Sequence, residues 1–129
     1  MNPARSALVF LGLIWAVTGH TTAPPKDFRF QLLAAADFSR ASLLEARFAH
    51  SYLRWINFSH ADLRRSDFSG AVLYRADFRG ADLRGARFLG SDLRGADFRG
   101  AKFDQGAFDE AVTLGAFFDS EVSSESRGN

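Results

Sequence analysis

Large apolar residues recur every five positions along most of this chain. They stand at Phe28, Leu33, Phe38, Leu43, Phe48, Leu53, Phe58, Leu63, Phe68, Leu73, Phe78, Leu83, Phe88, Leu93, Phe98, Phe103, Phe108 and Phe118, and only Thr113 interrupts the phase. Two residues before each of these sites, from Ala36 to Ala116, stands Ala, Ser or Gly; Ile56 is the one larger residue. Asp, Arg, Ser and Gly dominate the remaining three positions. No α-helix uses this pattern, because five residues advance about 500° at ~3.6 residues per turn and successive large residues would scatter around the axis. A flat strand fails as well, since an odd period puts successive large residues on opposite faces. The chain therefore has to bend within every unit. If each unit turns it by a quarter, all the large residues point at one axis. The residue two before each also points inward, by the strand period of two, and it has to be small because the interior is narrow.

The repeated A(D/N)(L/F)xx word is clearest in "FRGADLRGARFLGSDLRGADFRGA", Phe78 to Ala101. It resembles the pentapeptide-repeat proteins over Ala36 to Ser120 and, less regularly, over Phe28 to Ala35. The resemblance implies an all-β fold: a right-handed quadrilateral parallel β-helix, a solenoid of about four coils with four units per coil. Repeat architectures of this kind build one continuous core by stacking neighbours. With four units per coil, Phe38, Phe58, Phe78 and Phe98 form one interior column and Phe48, Phe68, Phe88 and Phe108 the opposite one. Leu43, Leu63 and Leu83 fill a third column and Leu53, Leu73 and Leu93 the fourth, while Phe103 departs from the alternation. All fifteen are expected in the structural core.

The ends differ in kind. Arg5 precedes the apolar run "ALVFLGLIWAV", Ala7 to Val17, which is followed by small residues at Val17 to Gly19. The run is shorter than the ~20 residues a membrane-spanning helix needs. A basic start, a short apolar stretch and small residues make a signal peptide, or else an anchor helix through residues 7–17. The expected organisation is a signal peptide or anchor over 1–19, a linker and N-terminal cap over 20–35, the β-helix over 36–120 and a polar, disordered tail over 121–129. An exported protein in an extracytoplasmic compartment follows, with membrane contact only through the N-terminal segment.

Composition narrows the chemistry. There is no Cys, which removes disulfides, thiolate metal sites and Cys nucleophiles. Basic and acidic residues number 12 each between Ala36 and Ser120. No uniform field for nucleic acid is present, and none is expected as a partner. Asp77 and Asp97 precede Arg79 and Arg99 by two residues, and Asp62 and Asp82 likewise precede Arg64 and Arg84, so an exposed lattice of weak ion pairs is expected. The His residues are His20, His50 and His60. The last two fall at outward corners of different faces, so no metal centre is expected. No G-x-S-x-G, Walker or H-E-x-x-H motif occurs. The unit-final Gly residues, such as Gly80 and Gly90, read as turn residues. Neither catalysis nor a cofactor is expected.

One face departs from the charged pattern. Tyr52, Arg54, Trp55, Val72, Tyr74, Arg75, Asp92 and Arg94 fall outward on the side of Leu53, Leu73 and Leu93. Exposed aromatics with Arg are the residue types enriched at binding hot spots. Tyr52, Arg54, Trp55, Tyr74, Arg75 and Arg94 form the candidate partner-binding patch. Ile56, beside Trp55, is expected to push that corner outward. Two accounts of the aromatics stand: they bind a partner, or they pack on the N-terminal cap. The functional expectation is a structural or protein-interaction module whose partner is another protein. The resemblance also implies an alternative, DNA-gyrase binding, known for members that present an acidic, DNA-like rod. Some members dimerise through an apolar C-terminal helix; the polar tail here offers none, and a monomer is expected.

Overall fold

A computed structural model of the chain describes residues 26–120; the apolar segment 7–17 and the tail 121–129 lie outside the described residues. The five-residue word folds as one strand bridge and one turn. With the exception of Arg87, the residue before each inward Phe or Leu from Phe28 to Phe98 forms a parallel bridge with the residue twenty positions on, from Asp27–Arg47 through Asp97–Phe117. Twenty residues are four units, so each coil has four sides and each side stacks on itself. The inward residue and the second residue after it donate backbone N–H groups to the next coil, as in Phe58 to Asp77 (2.8 Å) and His60 to Arg79 (2.8 Å). At most corners the carbonyl of the inward residue accepts from the N–H three residues on, as in Ala61 to Phe58 (3.0 Å). The second of the two residues between them has positive φ, the mark of a type II turn.

The core is a ladder of rings. Phe78 stacks on Phe58 (5.4 Å, 18°) and on Phe98 (5.0 Å, 4°), and meets Phe68 and Phe88 edge-on at 5.7 and 6.1 Å. Phe48 stacks in the same way on Phe28 and Phe68 in the other column. Burial contributes about 1.5–3 kcal/mol per ring, and aromatic geometry adds about 0.5–1.5 kcal/mol per pair. Leu43, Leu53, Leu63, Leu73, Leu83 and Leu93 close the remaining two sides and are buried. The small inward residues let opposite walls approach. Where they are Ser, the hydroxyl turns to the backbone: Ser66 donates to the Leu63 carbonyl (2.6 Å) and Ser91 to that of Phe88 (2.8 Å).

Four features differ from the expectations above. First, residues 26–35, expected as linker and cap, carry the same bridges and turns as the repeats, with Phe28 buried in the ladder. The described residues thus make nearly five coils rather than about four. Second, Ile56 does not push its corner outward. It is fully buried, the Tyr52–Val72 and Asn57–Asp77 bridges on either side persist, and its N–H still reaches the Leu53 carbonyl at 3.2 Å.

Third, Phe103 and Phe108 are half-buried rather than enclosed. The last coil leaves the ladder between them. Gln105 falls at the corner position that holds Gly in the coil before it, and the positive φ moves to Gly106 (φ 77). That shift uses up the inward position of the next unit, and the bridge that Arg87 would make is missing until Val112 restores the pattern. Ala86, beneath the gap, is correspondingly less covered. Fourth, the positive-φ corners are not a glycine preserve. Phe30, Ala35, Arg40, Glu45, His50, Trp55, His60, Arg65 and Arg75 all adopt it, at φ of 55–60°, whereas the regular corners from Gly80 to Gly100 are all Gly. The N-terminal half therefore carries strain that the C-terminal half avoids.

Candidate functional site

Three of the four sides are covered by one local device. Where Asp stands before an inward residue, it accepts the N–H of the residue two positions on, and where that residue is Arg its guanidinium also closes on the same carboxylate with two bonds. Asp97 takes Arg99 N–H (3.1 Å), Nε (2.9 Å) and Nη2 (2.5 Å), and Asp82 and Arg84 repeat the arrangement. The Arg guanidinium, above all through its hydrogen bonds, holds the carboxyls of Asp62, Asp82 and Asp97 below the usual carboxylate range. These Asp–Arg pairs form a solvated lattice, interrupted on the same faces by Arg40 and Arg87, which belong to no ion pair among the described residues, and by Asp67, which Ser69 closes.

The side of Leu33, Leu53, Leu73 and Leu93 is different. Its residues before the inward column run Leu32, Tyr52, Val72, Asp92, Val112. Those after it run Ala34, Arg54, Tyr74, Arg94, Leu114, and the corners Ala35, Trp55, Arg75, Gly95, Gly115. Tyr52 (49% exposed), Trp55 (51%), Val112 (53%) and Leu114 (78%) all lie here. Tyr74 is the hub. The Arg54 guanidinium lies 4.7 Å over the Trp55 ring and 5.1 Å over Tyr74, while Arg75 and Arg94 approach Tyr74 at 5.5 and 5.8 Å. Trp55 meets Tyr74 edge-on at 6.2 Å. The ring contacts of Trp55 thus run toward the next coil, on the side away from the first coil.

Of the three Arg residues on this face, only Arg94 has a carboxylate, in a two-bond pair with Asp92 (2.8 and 2.7 Å). Among the described residues, neither Arg54 nor Arg75 belongs to any ion pair. The Arg54 Nε is buried and has no hydrogen-bond partner. Two open grooves flank Tyr74. One, of about 380 Å³, runs between Tyr52, Arg54, Val72, Asp92 and Arg94; the other, of about 680 Å³, reaches from Arg75 and Arg94 past Asp77 and Asp97 to Leu114 and Phe117.

The structure therefore gathers Tyr52, Arg54, Trp55, Tyr74, Arg75 and Arg94 on one side and adds Leu114, which the sequence reading missed; the larger groove ends on Phe117, which bridges Asp97 on the neighbouring side. The signal for Leu114 is the twenty-residue column it shares with Arg54, Tyr74 and Arg94. His50 and His60 sit on different corners, His50 against the ring of Phe30 (5.3 Å). Among the described residues no three His, Asp or Glu side chains converge as a metal site, and no helix is long and apolar enough to cross a membrane.

Comparison with known proteins bears on the family. The pentapeptide-repeat family model matches in eight copies, over residues 27–59, 51–90 and 76–112. No curated protein matches the chain. Among solved structures, the chain is similar to alr5209, a pentapeptide repeat protein from Nostoc PCC 7120, at 25% identity and a TM-score of 0.67, covering 86% of this chain and 94% of that one. It is also similar to the pentapeptide repeat protein Rfr23 from the cyanobacterium Cyanothece 51142, at 27% identity and a TM-score of 0.60, covering 78% of this chain. The chain spans 65% of the length of Rfr23. The strict twenty-residue bridging, the Phe ladder and these matches give one conclusion: the chain belongs to the pentapeptide-repeat family, whose fold is the right-handed quadrilateral β-helix.

Proposed function

We propose that this chain is a non-enzymatic protein-interaction module whose docking surface is the side built around Tyr74. One observation carries the reading: this side holds Tyr52 and Trp55 half exposed around Tyr74 and lays Arg54 and Arg75 against aromatic rings rather than carboxylates. Aromatics and Arg held rigidly on a stacked backbone lose little freedom on binding, which favours affinity. Arg5, the apolar run 7–17 and the small residues after it support export, and the protein acts as a monomer outside the cytoplasm or anchored at a membrane surface. The gyrase-directed alternative needs an acidic surface; each Asp of the regular lattice that has an Arg two residues on is matched by it at 2.5–2.8 Å, which gives that alternative no support.

The test compares tagged full-length protein with its Trp55→Ala variant in the source cells. Loss of a co-purifying protein at unchanged melting temperature supports the docking role. Retention of the partner, or a fall in melting temperature with no change in association, overturns it.

A further inference from the structure

The docking side has its own charge logic. It carries Arg54, Arg75 and Arg94 against Asp92 alone, whereas on each of the other three sides the acids equal or outnumber Lys and Arg. Asp92 is already taken by Arg94. Arg54 and Arg75 lie against aromatic rings instead of carboxylates. A guanidinium stacked on a ring keeps its N–H edge free, and that edge matches a carboxylate with two parallel bonds. The grooves beside it combine apolar and charged walls: Tyr52 and Val72 with the paired Asp92 and Arg94 on one flank, and Leu114 and Phe117 with Asp77, Arg79 and Asp97 in the larger groove, where Arg79 and Arg99 close on the two carboxylates.

Building on the docking role above, we propose that the partner presents an acidic segment with interspersed apolar side chains. Its carboxylates engage Arg54 and Arg75, and its apolar residues lie along Tyr74 and in the flanking grooves. The open, elongated groove suits a strip of polypeptide crossing successive coils, and the rigid ladder beneath it needs no rearrangement to receive one.

The experiment uses the full-length chain and three dye-labelled twelve-residue peptides that repeat Gly-Glu-Phe-Glu, Gly-Gln-Phe-Gln or Gly-Lys-Phe-Lys, read by fluorescence anisotropy. The Glu peptide is expected to bind about tenfold more tightly than the Gln peptide, and the Lys peptide more weakly than either. Raising salt should erode the preference. Arg54→Gln with Arg75→Asn should abolish it, and Arg75→Asn alone, at an exposed corner where Asn tolerates positive φ, should reduce it with no loss of fold. Equal binding of the Glu and Gln peptides, a preference that survives both substitutions, or no binding of the Glu peptide up to ~1 mM overturns the acidic partner. Those outcomes leave the docking role standing if Trp55→Ala still releases the cellular partner. If Trp55→Ala has no effect on association, the docking role itself fails.

Discussion

The Nδ1 of His50 lies 2.5 Å from the point where a Cβ on Gly70 would stand, one coil further along the same corner. The imidazole also stacks on Phe30, 5.3 Å away. The bulky corner residues of the first coils thus lean over the next corner, and a Gly there leaves the room.

Gly70→Ala is therefore expected to cost about 1–2 kcal/mol, from a non-Gly residue at φ +68 and the displacement of His50 from Phe30. In a His50→Gly background the displacement disappears, and Gly70→Ala should cost about 0.5 kcal/mol less or better. A double-mutant cycle by urea unfolding measures the coupling; additive values would contradict the contact. Gly90→Ala, with nothing within 4 Å of its Cβ, should show the backbone strain alone.

Phe78 is stacked on two rings and edge-on to two more, and it is fully buried. Phe78→Ala should lower stability by about 3–5 kcal/mol, because neighbouring coils tied by the bridge ladder cannot collapse into the cavity. Phe103→Ala, at a half-buried end position, should cost less. Chemical denaturation of both variants compares the two; equal losses would mean the last coil is as tightly packed as the middle.

The regular Asp–Arg pairs predict the acid side of the stability profile. Arg29 holds the Asp27 carboxyl down to about 2 from an ordinary 3.8, chiefly by hydrogen bonding to it, and Arg64, Arg84, Arg94 and Arg99 lower Asp62, Asp82, Asp92 and Asp97 in the same direction. Folded pKa values below the unfolded ones mean that the unfolded chain binds more protons as pH falls. The stabilisation is fully present above about pH 5 and is lost as pH drops below about 4 toward the folded values. The pairs are largely exposed, so the loss is shallow and salt weakens it. Melting temperature against pH, at two salt concentrations, checks this; a flat profile down to pH 2 would contradict it.

The far end of the stack is sealed by side chains. Asp104 Oδ2 accepts the Gly85 N–H (2.7 Å) and Asp119 Oδ2 that of Gly100 (2.8 Å), where a regular coil would offer backbone carbonyls. Asp104→Ala should cost about 1 kcal/mol and speed amide exchange at Gly85, while Asp104→Asn retains an acceptor and should cost less. Unchanged exchange at Gly85 in the Ala variant would rule out the cap.

The interior columns are legible in the sequence because the phase is strict and only one conformation places Phe and Leu on a common axis. The corners are less so. Trp55, Glu45 and Arg65 are poor positive-φ residues by intrinsic preference, and the stacked backbone imposes that conformation on them. The excursion after Phe103 turns on which of two adjacent residues, Gln105 or Gly106, takes the strained corner, a local choice that periodicity does not register. Tyr52, Trp55 and Tyr74 stand out as an irregularity within the repeat. Leu114 falls in the twenty-residue column of Arg54, Tyr74 and Arg94, but a single Leu beyond the aromatic cluster does not stand out, and Phe117 of the neighbouring column reaches the same groove only through the fold.

The most direct measurement places a photo-crosslinking amino acid at single outward positions of the full-length protein in its source cells. The account predicts adducts from Tyr52 and Val72, beside Tyr74, and none from Ser69 or Arg87 on the adjacent side. Adducts from Ser69 and Arg87 with none from Tyr52 and Val72, or no distinction among the four, would contradict it.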